Sequence, residues 1–271
     1  MTGSTDPAQI EEYTAFLNSL ADAAAGITLP RFKKPLAVIN KGRKLTLDYD
    51  PVTEVDRQAE QAIRQMITQR YPGHNILGEE LGSEQNTPDS EGRTWVIDPI
   101  DGTRAYICGI PTWGTLIALN DGGEPVIGLL DQPYLRERYI GTGQAAFLNG
   151  TRISCRNCTR LSDATLSTTD PTQFFACAQD RSAFERVAAQ VRLVRNGYDC
   201  YAYAMVAAGF IDIVVESGLE PYDIQALIPL IEGAGGVITS WTGGTAAQGG
   251  QVVASATRAL HDQVLELLAD G

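Results

Sequence analysis

Two aspartates three residues apart carry the strongest chemical signal in the sequence. Trp95-Val96-Ile97-Asp98-Pro99-Ile100-Asp101-Gly102-Thr103 runs an apolar strand straight into Asp98 and Asp101. Pro99 and Gly102 impose a tight turn, and the residues after it can start a helix. Carboxylates held at a strand end share one space, repel and raise each other's pKa. A divalent cation resolves that conflict, and hard carboxylate and carbonyl oxygens suit magnesium. The amides of Gly102 and Thr103 at a helix start also offer donors to an oxyanion. For an isolated D-x-x-D-G, an Asp-capped turn is the plain structural alternative.

Three further acidic segments accompany the motif. Gly78-Glu79-Glu80 follows the strand-like run 75–77, and Glu220-Pro221-Tyr222-Asp223 places Asp223 near the start of a helix. Thr53 and Asp56 open another helix with the spacing of a capping box. Composition narrows the chemistry further. Among 271 residues, Asp and Glu total 33 and Lys and Arg 21, for a net charge of −12. That balance argues against nucleic-acid wrapping and against an anionic membrane surface. His74 and His261 are the only two histidines. A three-His zinc site cannot be built from one chain, and a Ser-His-Asp triad would have to use one of the two. Hydrolytic chemistry therefore falls to carboxylates, with or without metal ions. Both histidines read as surface residues.

The five cysteines are odd in number and scattered, which suits a reducing cytoplasm. Cys155 and Cys158 form a C-x-x-C with no second pair to complete a structural zinc site. The polar start does not read as a signal peptide, and no uncharged apolar run reaches membrane-span length. A cytoplasmic location is expected.

These side chains need elements to hold them. Helical spacing predicts helices over 7–25, with Asp6 as cap, and over 53–70. Residues 31–48 read as extended and basic, a solvated segment near the active-site rim with Lys33, Lys34, Lys41, Arg43 and Lys44. Strands are expected at 75–77 and 94–97 around a polar loop over 78–93, then an antiparallel meander over 112–148. The second half alternates: helix 181–190, strand 192–194, helix 200–208, strand 211–216, helix 224–233, strands 237–240 and 251–255, and a closing helix over 258–269. This mixture argues for an α+β or layered α/β class. A boundary between residues 149 and 168 divides the chain into halves 1–150 and 151–271.

In order and spacing, the four acidic segments resemble the inositol monophosphatase superfamily of magnesium-dependent, lithium-sensitive phosphatases. Glu232-Gly233-Ala234-Gly235-Gly236 adds to the likeness, which spans nearly the whole chain. Arg104 after Asp101-Gly102-Thr103, the run Tyr198-Asp199-Cys200-Tyr201, and Tyr222 before Asp223 look most like the histidinol-phosphate phosphatase branch.

The resemblance implies a layered αβαβα sandwich like that of inositol monophosphatase and fructose-1,6-bisphosphatase. It implies one magnesium held by Glu79, Asp98 and the carbonyl of Ile100, and a second by Asp98, Asp101 and Asp223. A weaker third ion would share Glu79, manganese would substitute, and lithium would inhibit. Metal-bound water would be the nucleophile, oriented by Thr103 with Asp56 behind it. The amides of Gly102 and Thr103 would bind phosphoryl oxygens. Arg195, Asp199, Glu216 and Asp223 would line the alcohol side, with Arg104 nearby or paired to a carboxylate. Acidic Asp199 and Glu216 suit the ammonium and imidazole of histidinol phosphate better than a neutral polyol. A small phosphomonoester substrate and a homodimer follow from the family.

Other readings compete. Inositol 1-phosphate, a sugar phosphate or a nucleotide 3′-phosphate would need the same chemistry. An aspartyl-phosphate mechanism of the haloacid dehalogenase type needs a D-x-D that Asp98-Pro99-Ile100 does not supply. A non-catalytic metal- or phosphate-binding protein is the alternative of another class. Every ligand position, however, is filled.

Overall fold

The structure, a computed structural model, describes residues 6–42, 51–86, 92–175 and 177–269. Arg43, Lys44 and the rest of the predicted extended segment up to residue 48 lie outside the described residues. So do residues 87–91 of the predicted loop and residues 1–5.

Helix α1 (Pro7–Thr28) starts on Asp6, whose side chain accepts the Ala8 N–H. A short pair of strands, β1 (Val38–Asn40) and β2 (Pro51–Thr53), leads into α2 (Glu54–Arg70). Eight strands then form one sheet: β3 (Asn75–Gly78), β4 (Gly82–Glu84), β5 (Thr94–Asp101), β6 (Gly114–Asp121), β7 (Glu124–Gln132), β8 (Glu137–Gly141), β9 (Ala146–Leu148) and β10 (Thr151–Ile153). Their order is β10-β9-β8-β7-β6-β5-β3-β4, antiparallel except for the β3–β5 pair. Helix α3 (Thr103–Cys108) leaves the end of β5.

The second sheet contains β11 (Thr165–Thr168), β12 (Leu193–Asn196), β13 (Ile213–Leu219), β14 (Val237–Ser240) and β15 (Gly250–Ser255). Its order is β12-β11-β13-β15-β14. Helices α4 (Ala178–Ala188), α5 (Tyr201–Ala207), α6 (Pro221–Ile224), α7 (Ile228–Gly233) and α8 (Arg258–Ala269) complete the chain.

Period-two alternation assigns each strand residue to a layer. In β5 and β6, Trp95, Ile97, Ile117 and Leu119 meet α1 and α2 through Leu17, Leu20, Ile63 and Ile67. The intervening Val96, Leu116 and Ala118 face the opposite way, toward α5, α7 and the second sheet. Val214, Val252 and Ala254 close that middle layer from the second sheet. Their neighbours Ile213, Val215 and Val253 point outward to α4 and α8. Both sheets are buried on two faces, so their strands read as nearly continuous apolar runs. The result is an αβαβα sandwich.

The middle helices lie directly on the first sheet. A side chain at Gly128 would overlap the Ala226 carbonyl, and one at Gly141 the Leu230 backbone. This contact fixes the segment that follows Asp223 against the sheet that carries Asp98.

Four local expectations differ from the structure; the first is the loop over 78–93, which turns back at Gly82 to add β4 beside β3. The predicted helix 224–233 is two helices, because Pro229 has no N–H to continue the ladder and α7 restarts there. Strand β11 was not foreseen. Its Thr-Leu-Ser-Thr sequence looks polar, yet all four residues are buried. The histidines are not free on the surface: His74 is half-buried and His261 buried. His74 stacks on Tyr71 at 4.7 Å and accepts the Trp95 indole N–H at 3.1 Å.

His261 is fully buried between Thr239 Oγ1 at 2.9 Å and Ser255 Oγ at 3.1 Å. Burial lowers its pKa to about 4, with the Arg258 charge adding to the effect. The unfolded chain therefore binds the extra proton first as pH falls. The stability His261 contributes is complete above its ordinary pKa near 6.5 and is lost as pH drops toward 4. The loss is on the order of 3 kcal/mol. Thermal melts from pH 7.5 to 4.5 should show a shallower decline for His261→Gln than for the parent protein. Parallel declines would contradict this.

Candidate active site

Strand register builds the acidic site. In the parallel β3–β5 pair, Gly78 lies opposite Ile97. One residue further along stand Glu79 and Asp98, and the Glu79 N–H donates to the Ile97 carbonyl at 3.1 Å. The β5–β6 ladder then shifts register between Asp98 and Asp101, where Pro99 interrupts it. Within this bulge Asp98 accepts the Ile100 N–H at 3.0 Å, and Thr115 Oγ1 donates to the Pro99 carbonyl at 2.8 Å. Asp101 is tied across the seam, accepting the Cys200 N–H at 2.7 Å.

Asp223 arrives from the second half as the third residue of α6. It accepts the Glu220 N–H at 2.7 Å in a capping box. Oxygens of Asp98, Asp101 and Asp223 lie within 4.8 Å of one another, the only such metal-capable cluster among the described residues. Burial raises the Asp98 pKa well above the usual range, and the charges of Glu79, Asp101 and Asp223 add to it. Burial and Asp199 together push Asp101 up to about 7. Buried hard oxygens that penalise one another's ionisation fit a divalent cation.

Glu79 lies beside this trio rather than within it, and its Oε1 accepts from Lys41 Nζ at 3.0 Å. Lys41 also reaches Glu80 at 2.7 Å. The basic segment thus sends one ammonium to the acidic turn rather than staying wholly in solvent.

Asp56 serves two neighbours with its two oxygens. Oδ2 accepts from the Thr53 N–H at 3.0 Å and Thr53 Oγ1 at 2.6 Å, while Oδ1 lies 3.4 Å from Thr103 Oγ1. The capping box therefore leaves one oxygen free to meet Thr103. Thr103 Oγ1 also lies 3.1 Å from the Ile100 carbonyl.

Gly102 caps α3 with φ of 81°, and a side chain there would approach Asp199 at 3.0 Å. Asp199 itself adopts φ of 46°, an uncommon conformation for a residue with a side chain. Burial raises its pKa to about 6, against the opposing effect of the Thr112 hydroxyl.

Glu216 is buried in the middle of β13, where its register with β15 shifts. It accepts from the Thr169 N–H at 2.6 Å, Thr169 Oγ1 at 2.9 Å and Thr168 Oγ1 at 3.1 Å. Burial still pushes it up to about 8. Asp101, Gly102, Thr103, Asp199, Glu216 and Asp223 all border one cleft between the two halves.

Two sequence-named residues behave differently from the rest. Arg195 sits exposed on the edge strand β12, with its Nε 3.2 Å from the Tyr198 hydroxyl, and does not border the cleft. Arg104 borders it, but its guanidinium lies 4.6 Å over the Phe174 ring and donates to Gln173 at 3.0 Å. Phe174 and Thr169 also line the cleft. Neither was expected, because their segment carries no motif and meets the site only through the fold.

Buried Asp98 with half-buried Asp101 and Asp223, set in the seam of an αβαβα sandwich at the start of a helix, fit the metal-assisted hydrolysis of a phosphoric monoester. The inositol monophosphatase family model matches residues 9–270. The bifunctional phosphatase IMPL2, chloroplastic, of Arabidopsis thaliana is 44% identical over 270 residues, covering 96% of this chain and 76% of that one. A histidinol-phosphatase of Mycobacterium tuberculosis is 35% identical, covering 93% and 96%. A solved inositol monophosphatase from Zymomonas mobilis superposes with a TM-score of 0.83 at 38% identity, covering 95% and 98%. The chain belongs to the inositol monophosphatase family. Members of that family are magnesium-dependent, which agrees with the acidic cluster.

Proposed function

We propose that this phosphatase hydrolyses L-histidinol phosphate to L-histidinol and phosphate. The observation that carries the substrate is the pair of carboxylates, half-buried Asp199 and buried Glu216, on the same cleft as the metal-capable cluster. Burial makes their ionisation costly. A cationic ammonium or imidazole would offset that cost, whereas a neutral polyol would not. The named activity of the Mycobacterium tuberculosis relative supports the same reading.

Glu79, Asp98 and the Ile100 carbonyl would hold one magnesium, and Asp98, Asp101 and Asp223 the other. Bound there, the ions supply charge neutralisation, a nucleophile at neutral pH and stabilisation of the departing oxygen. Thr103 Oγ1 takes the proton of the attacking water as its own hydroxyl proton passes to Asp56 Oδ1. Burial raises the Asp56 pKa and makes it the better acceptor. The Gly102 and Thr103 N–H groups donate to the phosphoryl oxygens. Phe174 offers an aromatic wall to an imidazole ring, held in place by Arg104 and Gln173.

Glu216→Gln removes one negative charge and keeps the side-chain shape. It should lower kcat/KM for histidinol phosphate by about 10- to 100-fold and change inositol 1-phosphate turnover by less than about threefold. Parallel measurements on both esters check this, and an equal loss on the two would remove the cation-binding role.

A further inference from the structure

One face of α2 is turned inward over three helical turns. Asp56, Glu60 and Arg64 follow one another at four-residue spacing and are all buried, Glu60 completely. Asp56 meets Thr103. Glu60 reaches the turn that carries Glu79. Its Oε2 accepts the Glu80 N–H at 2.8 Å, and its Oε1 accepts the Leu81 N–H at 3.2 Å. Arg64 Nε donates to the same Oε1 at 2.7 Å, while its Nη2 bonds the Gly82 carbonyl. Gly78 has no side chain because one would overlap the Glu60 carboxylate. On its other side the turn is pinned by the Glu79 N–H bond to Ile97.

We infer that Glu60 is a positioning residue for cation binding, acting through the backbone of Glu80 and Leu81 on the turn that carries Glu79. The inference rests on the reading of Glu79 as a magnesium ligand. A buried carboxylate receiving three N–H donors fixes the turn without offering its own oxygens to the ion. Arg64 pairs with that carboxylate at 2.7 Å, and Gly78 leaves room for its approach. A glutamine at this position fits the same space, but its amide NH₂ would face N–H donors and accept nothing from them. The turn would lose one anchor, and Glu79 would lose its fixed distance from Asp98.

The test is direct magnesium binding by calorimetry, together with the magnesium dependence of phosphate release. Glu79→Gln serves as the benchmark and should weaken binding. Glu60→Gln should raise the half-binding magnesium concentration by about 10- to 100-fold, the usual effect of losing a group that orients a ligand. In the Glu79→Gln background the same change should add less than about twofold, since the residue it acts through is gone. If Glu79→Gln leaves binding unchanged, the ligand assignment fails. If Glu79→Gln weakens binding and Glu60→Gln does not, the inference fails. Should Glu60→Gln not fold, Glu60→Asp keeps the charge with a shorter reach. It should also weaken magnesium binding, and unchanged affinity in that folded variant would equally overturn the proposal.

Discussion

Asp98→Asn is expected to lower kcat/KM by at least about 10³-fold, because Asp98 is assigned to both ions of a two-metal site. Magnesium binding should weaken with it. Stability should move the other way. Asp98 is buried beside Glu79, Asp101 and Asp223, and its ionised form is strongly disfavoured in the metal-free protein. A neutral amide of the same shape removes that repulsion. The metal-free variant should therefore melt at or above the temperature of the parent, a result typical of sites that trade stability for function. Calorimetric melting and phosphate release on one preparation check both halves. A variant of normal activity would remove Asp98 from the chemistry. A variant that is inactive and also much less stable would point to a structural role instead.

Gly128→Ala should have the largest effect away from the carboxylates. The new methyl group would overlap the Ala226 carbonyl where the middle helices lie on β7. Backbone, unlike a flexible side chain, cannot step aside cheaply. A loss of about 3 kcal/mol, or roughly 6–12 °C in melting temperature, is expected. The consequence reaches the site, because Ala226 follows Asp223 by three residues on the same short segment. Displacing that segment should also raise the magnesium requirement. A melting temperature within about 2 °C of the parent would show that the two layers can separate without cost.

Residues joined by local sequence were legible before the fold was known. Trp95 through Thr103 announce a strand, a turn and a helix start within nine residues. Thr53 and Asp56 announce a capping box, which the structure contains. What the sequence hid depends on contacts between distant segments. Glu60 reads as one of many helix-surface glutamates until α2 packs with it facing Glu80 and Leu81. Its four-residue spacing from Asp56 was the available clue. Phe174 and Gln173 meet Arg104 only because the segment after β11 folds against α3. Arg195 shows the opposite case, a matched position that the fold leaves on an exposed edge strand. His261 was misread because a polar residue in an amphipathic helix resembles a surface one. Only the hydroxyls of Thr239 and Ser255 make its burial tolerable.

If the carboxylates bordering this cleft select a cationic phosphomonoester, magnesium-dependent phosphate release from L-histidinol phosphate and inositol 1-phosphate, measured on one preparation, will separate the two esters. Expected is a kcat/KM at least about 100-fold higher for histidinol phosphate, since a site built to pair with a cation leaves its carboxylates uncompensated when the cation is missing. Equal or faster turnover of inositol 1-phosphate would contradict it.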